Sequence, residues 1–215
     1  LRHRGVIREL EQSLSLSRRL FPVDDQFEAA LAGEQERVLG HLRYIADRYP
    51  NEPYRLWAAL VVSDLNQASA DDVVARLTGS GRGALPPLRT GDDLRRPLKV
   101  LDDSLRAGGA DAIADGPLAR VRSQVETFGL HAGELDIRQL SAVHTEVLDE
   151  MLSRLGLVEG YASLDGKKRV EKLTELLEAP LPDLDALDPL SETAAESRAL
   201  FRTLRRAAEI YGPDI

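Results

Sequence analysis

The sequence contains no cysteine, which excludes disulfide bonds and any metal or redox site built on thiolates. This absence is typical of proteins in a reducing compartment, and we expect a cytoplasmic location. No apolar run approaches the roughly 20 residues that a membrane-spanning helix needs. Membrane insertion and disulfide-stapled folds are therefore not expected.

Familiar catalytic motifs are also missing. The sequence shows no Ser/His/Asp constellation, no HExxH zinc motif, no P-loop and no paired-carboxylate motif. Gly81-Arg82-Gly83 is rich in glycine, but no strand precedes it and no Lys-Ser/Thr follows. We therefore do not interpret it as a phosphate-binding loop.

The composition is that of an ordinary globular chain. Of the 215 residues, 43% are hydrophobic and 30% are charged, enough to bury a core in one or two domains. The formal net charge of −8 argues against nonspecific binding to nucleic acid or to an anionic membrane. Neither is expected as a partner, although a local basic pocket could still hold an anionic substrate.

Apolar residues recur at spacings of three and four along most of the chain, which predicts a mainly α-helical fold. Pro53 is well placed at the first position of a helix, where its missing N–H costs nothing. The predicted helices are residues 2–20, 25–31, 34–48, 53–67, 70–77, 92–106, 117–127, 141–155, 167–177 and 191–210.

A segment rich in glycine and proline interrupts this pattern. Residues 78–91 contain four Gly and two Pro, a composition typical of an exposed loop. We therefore divide the chain into an N-terminal helical part at 1–78, a flexible linker at 79–91, and a helix–strand–helix part at 92–215.

One stretch predicts a β-strand among these helices. Phe128-Gly129 ends a helix, and within residues 130–137 the apolar Leu135 and Ile137 alternate with polar residues. Ser141 then follows as the predicted N-cap of the next helix. A strand that ends just before a helix is where α/β enzymes place ligand-binding groups.

Arg138 is the leading candidate for ligand binding, because it stands at the end of this strand. Its planar fork of donors can hold a phosphate or a carboxylate. The alternative is an Arg that pairs with Glu134 or Asp136, or that is simply solvated. Gln139 can support the same pocket through a hydrogen bond, or it can lie in water at the helix entry.

The histidines give a weaker signal. His144, one turn into the following helix, is more often a packed or exposed structural residue than a ligand, and we do not expect it to be catalytic. A metal site built from His131, Glu134, Asp136 and His144 is conceivable, but this spacing matches no established ligand pattern. We therefore expect no metal in this segment.

Several of these residues together resemble phosphoenolpyruvate carboxylase, in its bacterial-type form. The motif that carries the resemblance is Phe128-Gly129-Leu130, then Leu135-Asp136-Ile137-Arg138-Gln139, then Ser141 with His144-Thr145-Glu146. The similarity is collinear beyond this motif, through Asn51-Glu52-Pro53-Tyr54-Arg55, residues 94–122 and residues 152–177. It covers the central part of such an enzyme.

The resemblance implies a cytoplasmic lyase that joins bicarbonate to phosphoenolpyruvate to give oxaloacetate and phosphate, fixing carbon for the tricarboxylic acid cycle. It further implies a homotetramer, a requirement for Mg²⁺ or Mn²⁺, and a (β/α)₈ barrel embedded in many extra helices. One barrel strand would then lie in this chain. The residue matching Arg138 contacts the phosphate of phosphoenolpyruvate in the family, with Gln139 as a weaker supporting residue.

The sequence departs from the family in ways that limit this segment. The family's Thr-Ala-His-Pro-Thr motif with the catalytic His, its metal carboxylates and its glycine-rich loop are not present. Within the motif, Gly133, Glu134 and Leu140 replace the more usual residues. We therefore expect no catalytic residue and no metal ligand here, and an isolated segment that is inactive.

The two ends favour an excised piece of a larger protein. The chain opens on Leu1 without an initiator Met, and it closes on Ile215, which is typical of the start of another element. A mature chain with trimmed ends is the alternative. For function, the alternative is a helical interaction or scaffold domain without chemistry.

Overall fold

The helices and their bounds follow from a computed structural model of the chain, which describes residues 2–130, 137–180 and 182–212. The described residues form eleven α-helices and no β-strand. The helices are α1 (Arg2–Ser13), α2 (Asp25–Gly33), α3 (His41–Arg48), α4 (Pro53–Ala70), α5 (Val73–Thr78), α6 (Gly91–Ala107), α7 (Asp111–Ile113), α8 (Ala119–Phe128), α9 (Ser141–Arg154), α10 (Gly166–Glu178) and α11 (Glu192–Tyr211).

The predicted mainly helical fold is confirmed, with corrections to the bounds of several helices. The first helix ends at Ser13 and not at Leu20, because the chain turns away and the Arg18 N–H donates to the carbonyl of Asn51 at 2.8 Å. The predicted helix 34–48 is interrupted before α3 by Gly40, whose φ of 55° strongly favours glycine.

The predicted strand lies largely outside the described residues, since 131–136 are not among them. Its two ends are described: Leu130 is buried, whereas Ile137 is 52% exposed and belongs to no helix or strand. The strand and the barrel to which it would belong therefore stay predictions. No described helix is both long enough and apolar enough to cross a membrane.

The chain forms two compact units. Unit 1 comprises residues 1–134 with 210–215, and unit 2 comprises residues 135–209. Residues 79–90 are indeed free of helix, but helices from both sides of this segment pack together within unit 1, including α4 and α6. The compact units thus divide the chain at a different place from the predicted linker.

Helix α4 is the centre of unit 1. Helices α1, α3 and α6 all pack against it, and eleven of its eighteen residues are buried. Pro53 stands at its start, as predicted, and the aromatic rings of Phe27 and Trp57 lie with centroids 5.2 Å apart. A helix buried on nearly every side depends on packing more than on intrinsic helix propensity.

Two side chains of α4 carry polar groups into this core, and α6 supplies their partners. The Trp57 indole N–H donates to the carbonyl of Pro97 at 2.9 Å. The Tyr54 hydroxyl lies 3.2 Å from the Ser104 carbonyl oxygen and 3.1 Å from the Ser104 hydroxyl. Buried polar groups are costly unless they are paired, so these contacts fix how α4 lies along α6.

The end of α8 is tied to α1. His3 is buried, and its Nε2 lies 2.7 Å from the carbonyl oxygen of Gly129. Gly129 has φ 55° and ψ −144°, a backbone conformation that residues with a Cβ seldom adopt. The contact therefore fixes the point at which the chain leaves α8 and enters residues 130–138.

The C-terminal residues return to unit 1. The Tyr211 hydroxyl donates to the carboxylate of Asp71 at 2.9 Å, and the Arg89 guanidinium donates to the carbonyl of Ile210 at 3.3 Å. Burial, together with the neighbouring Asp71 carboxylate, raises the pKa of Tyr211 to about 12.

Substitution Tyr54→Phe tests the bond between α4 and α6. It removes the buried hydroxyl and leaves Ser104 without this partner, so we expect a loss of about 1–2 kcal/mol in the free energy of unfolding. Urea unfolding followed by circular dichroism measures it. Tyr44→Phe is the matched control, because Tyr44 is 65% exposed, and it should change stability by less than about 0.5 kcal/mol. Equal stability losses in the two variants would contradict a stabilising bond between Tyr54 and Ser104.

The raised pKa of Tyr211 predicts a late-ionising tyrosine. An ordinary tyrosine with a pKa near 10 is about 90% ionised at pH 11, whereas a pKa of about 12 leaves about 10% ionised. The tyrosinate absorbance of the wild type and of Tyr211→Phe should therefore differ little at pH 11 while the chain stays folded. A difference of nearly one full tyrosinate would show that Tyr211 is not held in this way.

Candidate functional site

Arg138 and Gln139 lie in a short exposed segment at the start of unit 2. Residues 137–140 form no helix or strand, and all four are exposed. The helix α9 begins directly after them. The side chains that the sequence singles out for ligand binding therefore stand in solvent at a helix entrance, where an anion can reach them. Their binding role stays a prediction.

The start of α9 differs from the predicted capping arrangement. Leu140, with φ −65° and ψ 134°, occupies the N-cap position, and no side chain of the part of the chain that the structure describes caps the helix. Ser141 is the first helical residue, so its prediction as N-cap was wrong by one position. The first turn also contains no acidic residue. Among the described residues, no acidic side chain of the first turn therefore meets the positive end of the helix dipole, which lies close in sequence to Arg138.

His144 packs against the aromatic ring of Phe201. Its ring lies 5.9 Å from that of Phe201, centroid to centroid, with the planes tilted by 50°. His131, Glu134 and Asp136, the other members of the conceivable metal site, lie outside the described residues. Among the residues that the structure does describe, no three His, Asp or Glu side chains converge on a point that could hold a metal ion.

A groove of about 760 Å³ lies in unit 2, and we call it the α9/α11 groove. Its walls are the facing sides of α9 and α11, and residues 182–184 close it. It was not predicted from the sequence, because the residues that form it are far apart in the chain. The lining side chains are His144, Val147, Leu148, Met151, Pro182, Asp183, Leu184, Ser197, Arg198, Phe201, Arg202 and Arg205.

Polar contacts hold the walls of this groove in place. The Ser191 N–H donates to the Glu150 carboxylate at 2.9 Å, and the Ser191 hydroxyl donates to the same group. Arg154 pairs with Glu150 at 3.0 Å. Hydrogen bonds from Ser191 are the main reason that the pKa of Glu150 lies below its usual value. Ser191 also accepts from the Ala194 N–H and so caps α11.

The loop at Gly81-Arg82-Gly83 has the wrong polarity for a phosphate cradle. The Arg76 guanidinium donates to the carbonyls of Gly83 at 2.9 Å and Ala84 at 2.7 Å. A phosphate-binding loop presents N–H groups to its ligand, whereas carbonyl oxygens of this loop meet a cation. The two carbonyls of Gly83 and Ala84 are thus already engaged by the Arg76 guanidinium.

A basic cluster on α6 and α8 lines a smaller pocket of about 280 Å³. The cluster consists of Arg95, Arg96, Lys99 and Arg122. Three of these cations already have carboxylate partners. Arg95 lies 2.5 Å from Asp92, Lys99 lies 2.6 Å from Asp103, and Arg122 lies 2.7 Å from Asp102. Since their charge is largely compensated, this pocket is a weak candidate for anion binding.

Comparison with known proteins confirms the family resemblance. Residues 3–215 match the family model described as phosphoenolpyruvate carboxylase. The chain is 34% identical over 203 residues to the phosphoenolpyruvate carboxylase of Mycolicibacterium paratuberculosis, covering 94% of this chain and 21% of that protein. It is 32% identical over 218 residues to the phosphoenolpyruvate carboxylase of Roseiflexus castenholzii, covering 99% and 23%, respectively. The chain thus spans about a fifth of the length of these relatives.

The pairing of Glu150 with Ser191 predicts a pH dependence in unit 2. The pKa of Glu150 is lower in the folded than in the unfolded chain, so its stabilising contribution is complete above about pH 4.5 and is lost as the pH falls through the lowered folded value. Glu150→Gln lacks this stabilising contribution, so acid should lower its free energy of unfolding less than that of the wild type. Glu146→Gln, an exposed carboxylate on the same helix, is the control and should leave the curve unchanged. Identical curves for all three proteins would contradict the prediction.

Proposed function

Since the chain belongs to the phosphoenolpyruvate carboxylase family, we propose that it is a segment of a longer enzyme that carboxylates phosphoenolpyruvate with bicarbonate. The products are oxaloacetate and phosphate. The chain covers about a fifth of the relatives' length, so the reaction belongs to the longer protein. We propose that this segment alone is inactive, because the motifs that carry the catalytic His and the glycine-rich loop do not occur in its sequence.

The position of Arg138 supports a direct role in substrate binding. Arg138 follows Leu135-Asp136-Ile137 in the family motif, and it is exposed two residues before the uncapped entrance of α9. A guanidinium group can hold two phosphate oxygens through parallel hydrogen bonds. In the proposed role, Arg138 binds the phosphate of phosphoenolpyruvate and fixes its orientation.

Two neighbouring features would strengthen this binding. The first-turn N–H groups of α9, at the positive end of the helix dipole, favour a nearby anion. The Gln139 side chain can add a hydrogen bond to the same phosphate or to Arg138. Neither feature carries a full charge, so Arg138 is expected to dominate the interaction and Gln139 to be secondary.

The Mg²⁺ or Mn²⁺ that the family implies does not fit the side chains described here. Across residues 2–130, 137–180 and 182–212 there is no cluster of three potential ligands. No step of the reaction is therefore assigned to a metal in this chain. We propose that the ion is held by other parts of the longer enzyme, whose carboxylates come together with Arg138 in the complete protein.

The remaining features of the longer enzyme are proposals of the same kind. They comprise a (β/α)₈ barrel to which residues 130–137 contribute a strand, a homotetramer and a cytoplasmic location. The alternative of a helical scaffold without chemistry is not favoured, because the family match extends over residues 3–215 and not only over the helical parts.

The test is a carboxylation assay on the full-length enzyme with Arg138→Ala. Loss of the bidentate phosphate contact should lower kcat/KM for phosphoenolpyruvate by about 100-fold or more, with unchanged thermal stability. Arg138→Lys keeps the charge but loses the fork geometry, so it should recover only part of this loss. Arg82→Ala removes an exposed Arg from the loop at residues 79–90 and serves as the matched control with full activity.

Two results would contradict the proposal in different ways. If the wild type is active and Arg138→Ala is equally active, the family function stands and Arg138 has no role in binding. If the folded full-length protein forms no oxaloacetate in the presence of Mg²⁺ and both substrates, the proposed activity itself is wrong.

A further inference from the structure

Arg76 ties the first half of the loop at residues 79–90 to the end of α4. Its guanidinium donates to the carbonyls of Gly83 and Ala84, and it also pairs with the Asp71 carboxylate at 3.1 Å. The side chains of Arg76 and Asp71 are only 11% and 8% exposed. Breaking such a pair is costly, because the remaining charge would stay buried without its partner. A buried ion pair therefore holds this part of the loop.

Tyr211 bonds to the other oxygen of the same carboxylate. The Tyr211 hydroxyl donates to Oδ2 of Asp71 at 2.9 Å, whereas Nε of Arg76 donates to Oδ1 at 3.1 Å. Tyr211 is itself buried. Two donors on opposite oxygens hold a carboxylate in one orientation, and hydrogen bonds to a charged group are stronger than neutral ones. The orientation in which Asp71 faces Arg76 thus depends in part on Tyr211.

A second contact joins the end of α11 to the far end of the same loop. The Arg89 guanidinium donates to the carbonyl of Ile210 at 3.3 Å. The Arg89 backbone N–H donates to the Asp93 carboxylate at 3.1 Å, which fixes this end of the loop to the start of α6. Ile210 and Tyr211 therefore engage the two ends of the loop, one directly and the other through Asp71.

The first half of the loop has little apolar packing of its own. None of residues 79–85, all of which the structure describes, is buried. Leu88, by contrast, is 4% exposed and anchors the second half in the core. A segment with few buried contacts opens at a small cost in free energy. The contacts of Arg76 therefore contribute a large part of what keeps residues 79–85 in place.

We propose that Asp71, Arg76 and Tyr211 form a latch that couples closure of the loop at residues 79–85 to docking of Tyr211. Docked Tyr211 holds the Asp71 carboxylate toward Arg76, and the guanidinium in turn holds the carbonyls of the loop. Withdrawal of Tyr211 removes one donor from Asp71, so the ion pair loosens and the loop opens. A coupling free energy is reciprocal, so opening of the loop also weakens docking of Tyr211. The proposal does not depend on the carboxylase activity.

The experiment is hydrogen–deuterium exchange of the full-length protein, read by mass spectrometry of the peptides that cover residues 79–85 and 207–212. The Gly81 N–H donates to the carbonyl of Ala75 at 2.7 Å, so the exchange rate of this amide reports opening of the loop. The second peptide reports undocking of the end of α11. Both are measured in the same sample, so the two ends of the latch are compared directly.

Two variants remove single contacts of the latch. Tyr211→Phe deletes the hydroxyl, and Asp71→Asn deletes the charge that pairs with Arg76. Each should raise the exchange rate of residues 79–85 by about fivefold or more. Tyr44→Phe is the matched control, because Tyr44 is an exposed tyrosine of the same unit, and it should leave the exchange rate unchanged.

Arg76→Ala with chemical rescue tests the guanidinium itself. The variant leaves the Asp71 carboxylate and the carbonyls of Gly83 and Ala84 without their shared donor, so exchange should rise in both peptides. Added guanidinium ion at about 50 mM, far below denaturing concentrations, should restore at least about half of the lost protection in both. Sodium at the same concentration is the control cation and should restore none. Arg43→Ala, which removes an arginine that is 69% exposed, should behave as the wild type.

The outcomes separate a latch from independent contacts. Faster exchange of residues 79–85 in Tyr211→Phe, with α4 still protected, establishes the coupling. Unchanged exchange of these residues in Tyr211→Phe overturns it, as does an Arg76→Ala variant that opens the loop while residues 207–212 stay protected. Exchange that rises equally in α4 shows that the variant unfolds as a whole and also overturns the latch. Rescue of only one peptide by guanidinium shows that the two ends are held separately.

Discussion

The burial of α4 is the constraint on which unit 1 depends. A helix enclosed on nearly every side must have a partner for each polar group that it carries inward, since an unpaired group would cost more than its apolar neighbours contribute. The Trp57 indole N–H donates to the Pro97 carbonyl, and the Tyr54 hydroxyl donates to the Ser104 carbonyl, both on α6. The Asp64 carboxylate pairs with the Arg37 guanidinium. These three pairings set the depth and direction of the helices around α4.

The spacing of apolar residues was enough to predict most helices, because a helix that buries one face repeats apolar residues every three or four positions. It could not predict where α1 ends. That depends on contacts with a distant loop, where Arg18 binds the carbonyl of Asn51 and Ser15 donates to Glu52 at 2.9 Å. The turn of π-helix at Ala114–Leu118 was likewise missed, and Pro117 lies within it rather than at a helix start.

The candidate site was predictable to different degrees. Arg138 stands in a contiguous motif, so its sequence neighbours alone draw attention to it. No contiguous motif marks the α9/α11 groove, because α10 and the turn at Leu184–Leu187 lie between His144 and Phe201 in the sequence. Local patterns thus identify single residues and helix faces, whereas a surface built from separate segments needs the fold.

The return of the C-terminal residues to unit 1 has a consequence for how the protein is made. Tyr211 bonds to Asp71 across 140 positions of sequence, and Arg89 bonds to Ile210 across 121. During translation, unit 1 therefore cannot be completed until residues 210 and 211 have left the ribosome. The residues of unit 2 emerge in between, so the edge of unit 1 around Asp71 and Arg89 stays uncovered while they are synthesised and is open to chaperones.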